Sequence, residues 1–136
     1  MTRLAVDSSA LIYLVEGSDA LRERITRRLD PVLADPAGRL VASRLARMDC
    51  RVKPLRNGDT ALLAEYDAVF GAARFDLADV TAAILDRATD LRARHGFKTP
   101  DAIQLATAIE IGADAFLTGD AGLVRCTDVT VELIAP

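Results

Sequence analysis

The chain of 136 residues has one histidine, two cysteines, no tryptophan and only 4% aromatic residues, and each shortage removes a class of chemistry. With His95 alone, a histidine pair cleaving RNA through the 2′-hydroxyl is disfavoured, and no serine or cysteine nucleophile has a nearby histidine base. His95 precedes Gly96 at an expected helix end, where a cation complements the terminal carbonyls, so its reading is structural. Cys50 and Cys126 lie far apart with no CxxC pair, which favours reduced structural thiols over a disulfide or a zinc site. No apolar run reaches the ~20 residues that cross a bilayer, and the N-terminus lacks a basic-then-apolar signal region. A cytoplasmic protein without membrane association is the expectation. Positive charge is short as well: 17 Lys and Arg against 20 Asp and Glu give a net charge of −3 and a pI near 5.1. Any binding of nucleic acid must therefore be local rather than driven by bulk charge.

What is present is aliphatic. Hydrophobic residues make up 51% of the chain, rich in Ala, Leu and Ile, which suits helices packed on a sheet of aliphatic strands. The length fits a single domain, residues 1–136, able to bury roughly two-thirds of its unfolded surface. No repeat, linker or low-complexity segment interrupts it.

The chain opens on an apolar strand, Leu4-Ala5-Val6, that runs into Asp7. Ser8 or Ser9 can cap a helix over Ala10–Glu16, ended by Gly17. Asp19 starts a helix with Leu21, Ile25 and Leu29 on one face, which Pro31 and Asp35-Pro36-Ala37-Gly38 should break. A strand at Arg39–Ala42 feeds a helix from Ser43 that should stop near Pro54. At 100° per residue, Leu45, Met48, Asp49 and Val52 share one face of that helix and Arg44, Arg47 and Arg51 lie opposite, so Asp49 is expected to point toward the core. A helix from Asp59 reads as scaffold, Phe75-Asp76-Leu77 as a short strand, and Asp79 as the cap of a helix reaching His95. Thr99-Pro100-Asp101 has a helix-start pattern with Thr99 as cap, opening an almost wholly apolar helix, Ala102–Ile111, expected beneath the sheet. Ala113–Thr118 reads as a central strand running into Gly119-Asp120, and Val129–Ile134 as an edge strand.

Alternating strands and helices imply parallel strands joined by right-handed crossovers, with strand ends gathered along one edge. The ligand crevice of an open α/β sheet lies beyond that edge. Asp7 and Asp120 would both stand there, and Asp101 and Asp49 could reach the same pocket. Four carboxylates in one pocket repel strongly unless a cation compensates them. Oxygen-only ligation points to Mg²⁺ or Mn²⁺ rather than zinc. Such ions suit phosphate chemistry, with water activated by the metal as nucleophile and one acid as general base.

Four segments carry a family resemblance: Leu4–Ile12, Ser43–Asp49, Thr99–Ala106 and Leu117-Thr118-Gly119-Asp120. In this order and spacing the chain resembles the PIN-domain nucleases, most closely the VapC-type toxins of toxin–antitoxin pairs. The resemblance implies a three-layer α/β/α sandwich with a central parallel sheet of four to five strands, and a Mg²⁺- or Mn²⁺-dependent endoribonuclease. It also implies a homodimer and inhibition by a cognate antitoxin, which commonly places a basic side chain in the acidic pocket. Asp7, Asp101 and Asp120 match the family's acids, and Thr118 its hydroxyl before the last acid. Asp49 stands where the family usually has glutamate, one methylene longer, in a kind of site where ~1 Å can cost about 10²-fold in rate.

Four alternatives stand beside this reading. A PIN fold could bind RNA or antitoxin without turnover, or act on DNA, since nothing in the sequence reads a 2′-hydroxyl. A receiver-type phosphoacceptor wants adjacent acids after the first strand and a late lysine, but Asp7 is followed by Ser8-Ser9 and no lysine lies beyond Lys98. An Asp-x-Asp phosphatase is disfavoured because Ser9 replaces the second acid. For RNA contact, Arg44, Arg47 and Arg51 are the candidates, because their face runs beside the helix bearing Asp49.

Overall fold

A computed structural model describes residues 2–135, so Met1 and Pro136 of the expected 1–136 domain lie outside the described residues. Its elements run β1 (Arg3–Val6), α1 (Ser8–Glu16), α2 (Asp19–Ala34), β2 (Arg39–Ser43), α3 (Arg44–Asn57), α4 (Thr60–Phe70) and β3 (Phe75–Ala78). Then follow α5 (Ala82–His95), α6 (Thr99–Glu110), β4 (Ala115–Thr118), a 3₁₀ turn (Ala121–Leu123) and β5 (Val131–Leu133). The five strands form one sheet in the order β3-β2-β1-β4-β5, parallel at every pairing. Among the described residues no helix is long and apolar enough to cross a membrane.

The central strands are buried on both faces, and their alternate residues sort the core into two layers. Leu4 and Val6 of β1, Leu40 and Ala42 of β2 and Leu117 of β4 pack with α1, α2, α3 and α4 on one face. Ala5 and Phe116 point the other way, against α5 and α6. This is the expected three-layer sandwich, with five strands. Its central strand is β1, and the chain leaves that strand first toward β2 and β3, then returns to its other side through β4 and β5. The strand order therefore reverses at β1, and the crevice of an open sheet opens at such a switch point.

Several local expectations shift. Pro31 lies inside α2, held by Leu29 and Val32, which are buried on either side of it; the ring removes one backbone bond without ending the helix. Pro54 is likewise carried within α3, which continues to Asn57 and stops at Gly58 in the left-handed region, φ 62°. The caps move by one or two residues. Asp7 caps α1 itself, Thr81 rather than Asp79 caps α5, and Lys98 precedes α6 with no side-chain cap bond, so Thr99 is the first helical residue. On α3 the buried side is Ala46, Cys50 and Pro54, while Met48 and Val52 are 54% and 43% exposed. Small residues let this helix dock closely, and the apolar stripe expected to face inward faces outward.

Gly38 is demanded by close approach, since a Cβ there would lie 1.8 Å from the Val32 carbonyl oxygen, a backbone atom that cannot swing away. Gly38→Ala should cost about 1–3 kcal/mol of stability through overpacking, measured by urea unfolding; an unchanged midpoint would mean that the α2–β2 turn relaxes freely.

Candidate active site

The parallel pairing of β1 with β4 sets Val6 beside Leu117, and the Asp7 backbone N–H donates to the Leu117 carbonyl at 3.1 Å. Asp7 thus sits at the strand's carboxyl end beside Thr118, although 111 residues separate them. It is 4% exposed. Its Oδ1 accepts from the Ser9 hydroxyl at 2.6 Å and the Ala10 N–H at 2.9 Å, and its Oδ2 accepts from the Thr118 hydroxyl at 2.5 Å. The Ala10 bond is the N-cap of α1, so one carboxylate both starts a helix and stands at the carboxyl edge of the sheet.

Thr118 is completely buried and bridges two acids: its Oγ1 donates to Asp7 and accepts from the Asp120 N–H at 3.0 Å. Asp120 caps the 3₁₀ turn through its Oδ1, which accepts from the Gly122 N–H at 2.8 Å. Ser9 ties the same two strand ends again, because its hydroxyl accepts from the Gly119 N–H at 2.8 Å while donating to Asp7.

Asp49 enters from α3, half-buried, with its Oδ2 accepting from the Ser8 hydroxyl at 3.3 Å. Asp101 enters from the first turn of α6. Among the described residues nothing donates a hydrogen bond to its carboxylate.

Like charge links Asp101 to each of the other three acids. Burial pushes the Asp7 carboxyl above the ordinary range and the Asp120 charge adds to this, against the lowering effect of its three hydrogen bonds. Burial also raises Asp49, with the Ser8 bond opposing. Asp101 is raised first by burial, then by the charges of Asp120 and Asp7, with Asp49 adding and Lys98 opposing. Asp101 therefore feels all three other acids. Repulsion of this kind is what a bound cation would remove.

The donor set suits a hard divalent ion. Hydrogen bonds occupy one oxygen each of Asp49 and Asp120, and the Asp101 carboxylate is free of them among the described residues. Oxygen donors remain on several elements, with no imidazole or thiolate among them. As the described residues stand, no three Asp, Glu, His or Cys groups converge closely enough to enclose an ion, so the acids would have to draw inward around one.

The family model for the PIN domain matches residues 4–128. The chain belongs to the PIN-domain family. No curated protein matches its sequence. Among solved structures, this PIN domain is similar to VapBC2 from Rickettsia felis bound to a DNA fragment from its promoter, with a TM-score of 0.78 and 12% identity over 96% of this chain and 98% of that one. A toxin–antitoxin complex from Klebsiella pneumoniae gives 0.73 and 20% over 96% and 99%. VapC20 from Mycobacterium tuberculosis, a toxin that cleaves the sarcin–ricin loop, gives 0.70 and 18% over 93% and 98%. At such identities the likeness is one of fold.

Thr118 thus ties Asp7 to the backbone of Asp120 at the carboxyl edge of the sheet, Asp49 is joined to this edge through Ser8, and Asp101 stands on the first turn of α6. The three arginines lie elsewhere on α3. Arg44 pairs with Asp79, Arg51 with Asp67 at 2.9 Å, and Arg47 approaches Asp67 at 4.0 Å. Exposed pairs of this kind are worth about 0–1 kcal/mol, little enough for a phosphate to displace. Sequence reasoning missed two parts of the site, the Ser9 bridge and Gln104. Gln104 is a buried amide three residues after Asp101, and helical spacing puts it on the same face. A polar side chain in so apolar a helix was the signal.

The raised Asp7 carboxyl sets a pH dependence. Its charged form is penalised in the fold; the penalty is absent below the unfolded pKa, grows as pH rises, and is complete above the raised folded value. Asp7→Asn keeps a competent helix cap. In chelator, it should make the protein more stable than wild type at pH 7, by an amount that shrinks as pH falls through the carboxylate range. Urea unfolding at pH 7 and at about pH 4 checks this; a variant less stable than wild type at both would show that the hydrogen bonds outweigh burial.

Proposed function

We propose that the protein is the toxin of a type II toxin–antitoxin pair, a Mg²⁺- or Mn²⁺-dependent endoribonuclease that hydrolyses RNA phosphodiester bonds. The observation that carries this reading is the placement of Asp7 and Asp120 at the carboxyl ends of β1 and β4, tied by Thr118, with Asp49 joined through Ser8 and Asp101 on the first turn of α6. Membership of the PIN-domain family supports it, as do neighbours that include toxin–antitoxin complexes and an RNA-cleaving toxin.

Asp7, Asp49, Asp101 and Asp120 would hold the ion, which when bound supplies a more acidic water and positive charge for the phosphate oxygens. Thr118 fixes the Asp7 carboxylate and the backbone leading to Asp120. Asp101 suits the general base, because no described residue donates to its carboxylate and it stands on the first turn of α6 beside the other acids. The water oxygen adds to phosphorus as one of its protons passes to Asp101, the phosphorus–oxygen bond to the departing ribose breaks, and the ribose oxygen that leaves takes up a proton from solvent. Arg44, Arg47 and Arg51 would meet RNA phosphates by exchanging Asp79 and Asp67 for them. The same acidic pocket would accept a basic side chain of a cognate antitoxin, and the enzyme would act as a homodimer in the cytoplasm.

Purified protein with structured RNA and Mn²⁺ should cleave, stop on addition of chelator, and lose roughly 10²-fold or more in rate as Asp7→Asn. Asp49→Glu should cleave faster than wild type. Metal-dependent cleavage surviving Asp7→Asn would sink the proposal; no cleavage at any metal concentration, with RNA or antitoxin still bound, would make the chain a binding module. Reversing Arg44, Arg47 and Arg51 to Glu should weaken RNA binding and flatten its dependence on salt, by about 0.7 in log–log slope for each phosphate that is no longer neutralised. Unchanged binding would identify a solvated face.

A further inference from the structure

Gln104 is 5% exposed and spends its whole amide on one residue, Ser8. Its Oε1 accepts from the Ser8 backbone N–H at 2.9 Å, and its Nε2 donates to the Ser8 hydroxyl at 3.3 Å. The orientation of the amide is dictated, because a backbone N–H can only donate and so must face the oxygen. The amide N–H₂ is then left facing the hydroxyl, where it takes a lone pair. A serine hydroxyl has one hydrogen, and the remaining partner of Ser8 Oγ is Asp49 Oδ2 at 3.3 Å, an acceptor. The chain of donors therefore runs in one direction, from Gln104 through Ser8 to Asp49.

We propose that Gln104 is a positioning residue of the active site: acting through Ser8, it holds the Asp49 carboxylate by one oxygen and leaves the other for the metal. The inference rests on the four-acid reading of the site given above. Two features make it specific. Gln104 lies three residues beyond Asp101 on α6, Ser8 follows Asp7 at the start of α1, and Asp49 belongs to α3, so this one side chain joins the three elements that carry three of the acids. Both hydroxyl bonds are long at 3.3 Å, so the carboxylate is held without being drawn tight and can close on an ion. Gln104 itself touches neither metal nor substrate. Partners that orient a metal ligand in this way typically govern 10–100-fold of metal affinity.

The relay predicts a coupling that a merely structural glutamine would not produce. In the full-length protein, Gln104→Met and Ser8→Ala should each weaken Mn²⁺ binding, by roughly 10-fold or more, measured by calorimetry or by the free-Mn²⁺ resonance signal. Ser8→Thr, which keeps the hydroxyl, should bind within a few-fold of wild type. The double variant Gln104→Met with Ser8→Ala should bind Mn²⁺ no more weakly than Ser8→Ala alone, since the hydroxyl route is already gone. Stability in chelator should behave oppositely, with Gln104→Met destabilising both backgrounds, because the backbone N–H at position 8 loses its acceptor in each. Losses of Mn²⁺ affinity that multiply in the double variant, or a Gln104→Met protein that binds as wild type, would overturn the relay while leaving the metal site standing. A folded wild-type protein that binds no Mn²⁺ would overturn the metal site and the relay with it.

Discussion

Asp7 is an acid taken out of water at the end of the central strand, and most of the site answers to that single cost. A desolvated carboxylate needs donors or a cation. Donors come from three directions: the Ala10 N–H of α1, the Ser9 hydroxyl and the Thr118 hydroxyl. Even so the carboxyl stays raised, and Asp120 raises it further. The protein folds around a charge that its own hydrogen bonds only partly satisfy, and under the proposed function a divalent ion would meet the remainder.

The groups that meet this cost also build the scaffold. Asp7 caps α1, Asp120 caps the 3₁₀ turn, and Ser9 and Thr118 cross-link the ends of β1 and β4. Such economy couples stability and chemistry at the same atoms. Farther out, Glu16 accepts from the otherwise buried Tyr66 hydroxyl and from Lys53 at 2.6 Å, anchoring α1 to α3 and α4. Cys50, on the inner side of α3, has its thiol pushed up to about 12 by burial, so it behaves as a small apolar wedge rather than a nucleophile.

Much of this could be read from residue order alone. Aliphatic strands alternating with helices give the parallel layers, and strands that end on Asp7 and on Thr118-Gly119-Asp120 mark the functional edge, because period and polarity are both local signals. What could not be read were choices settled by tertiary contact. Pro31 and Pro54 look like breakers, yet packing of Leu29, Val32, Ala46 and Cys50 carries the helices through them. The docked face of α3 differs from the expected one because the strongest apolar stripe, Met48 and Val52, is not what packs inward; small residues permit closer contact than large ones do. Gln104 stands out as a polar residue in an apolar helix, but its tie to Ser8, 96 residues away, follows no local pattern.

The placement of β1 has a further consequence, in the order of events during synthesis. β1 is made first but completes its pairing only when β4, more than a hundred residues later, lies alongside it. Contacts so distant in sequence form late, after the loop-closure entropy has been met. A nascent chain that has reached α5 has Asp7 and Asp49, but neither Asp101, Asp120 nor the Thr118 hydroxyl that anchors Asp7. Topology alone keeps the four acids of the proposed site apart on the growing polypeptide until β4 and the turn after it have emerged.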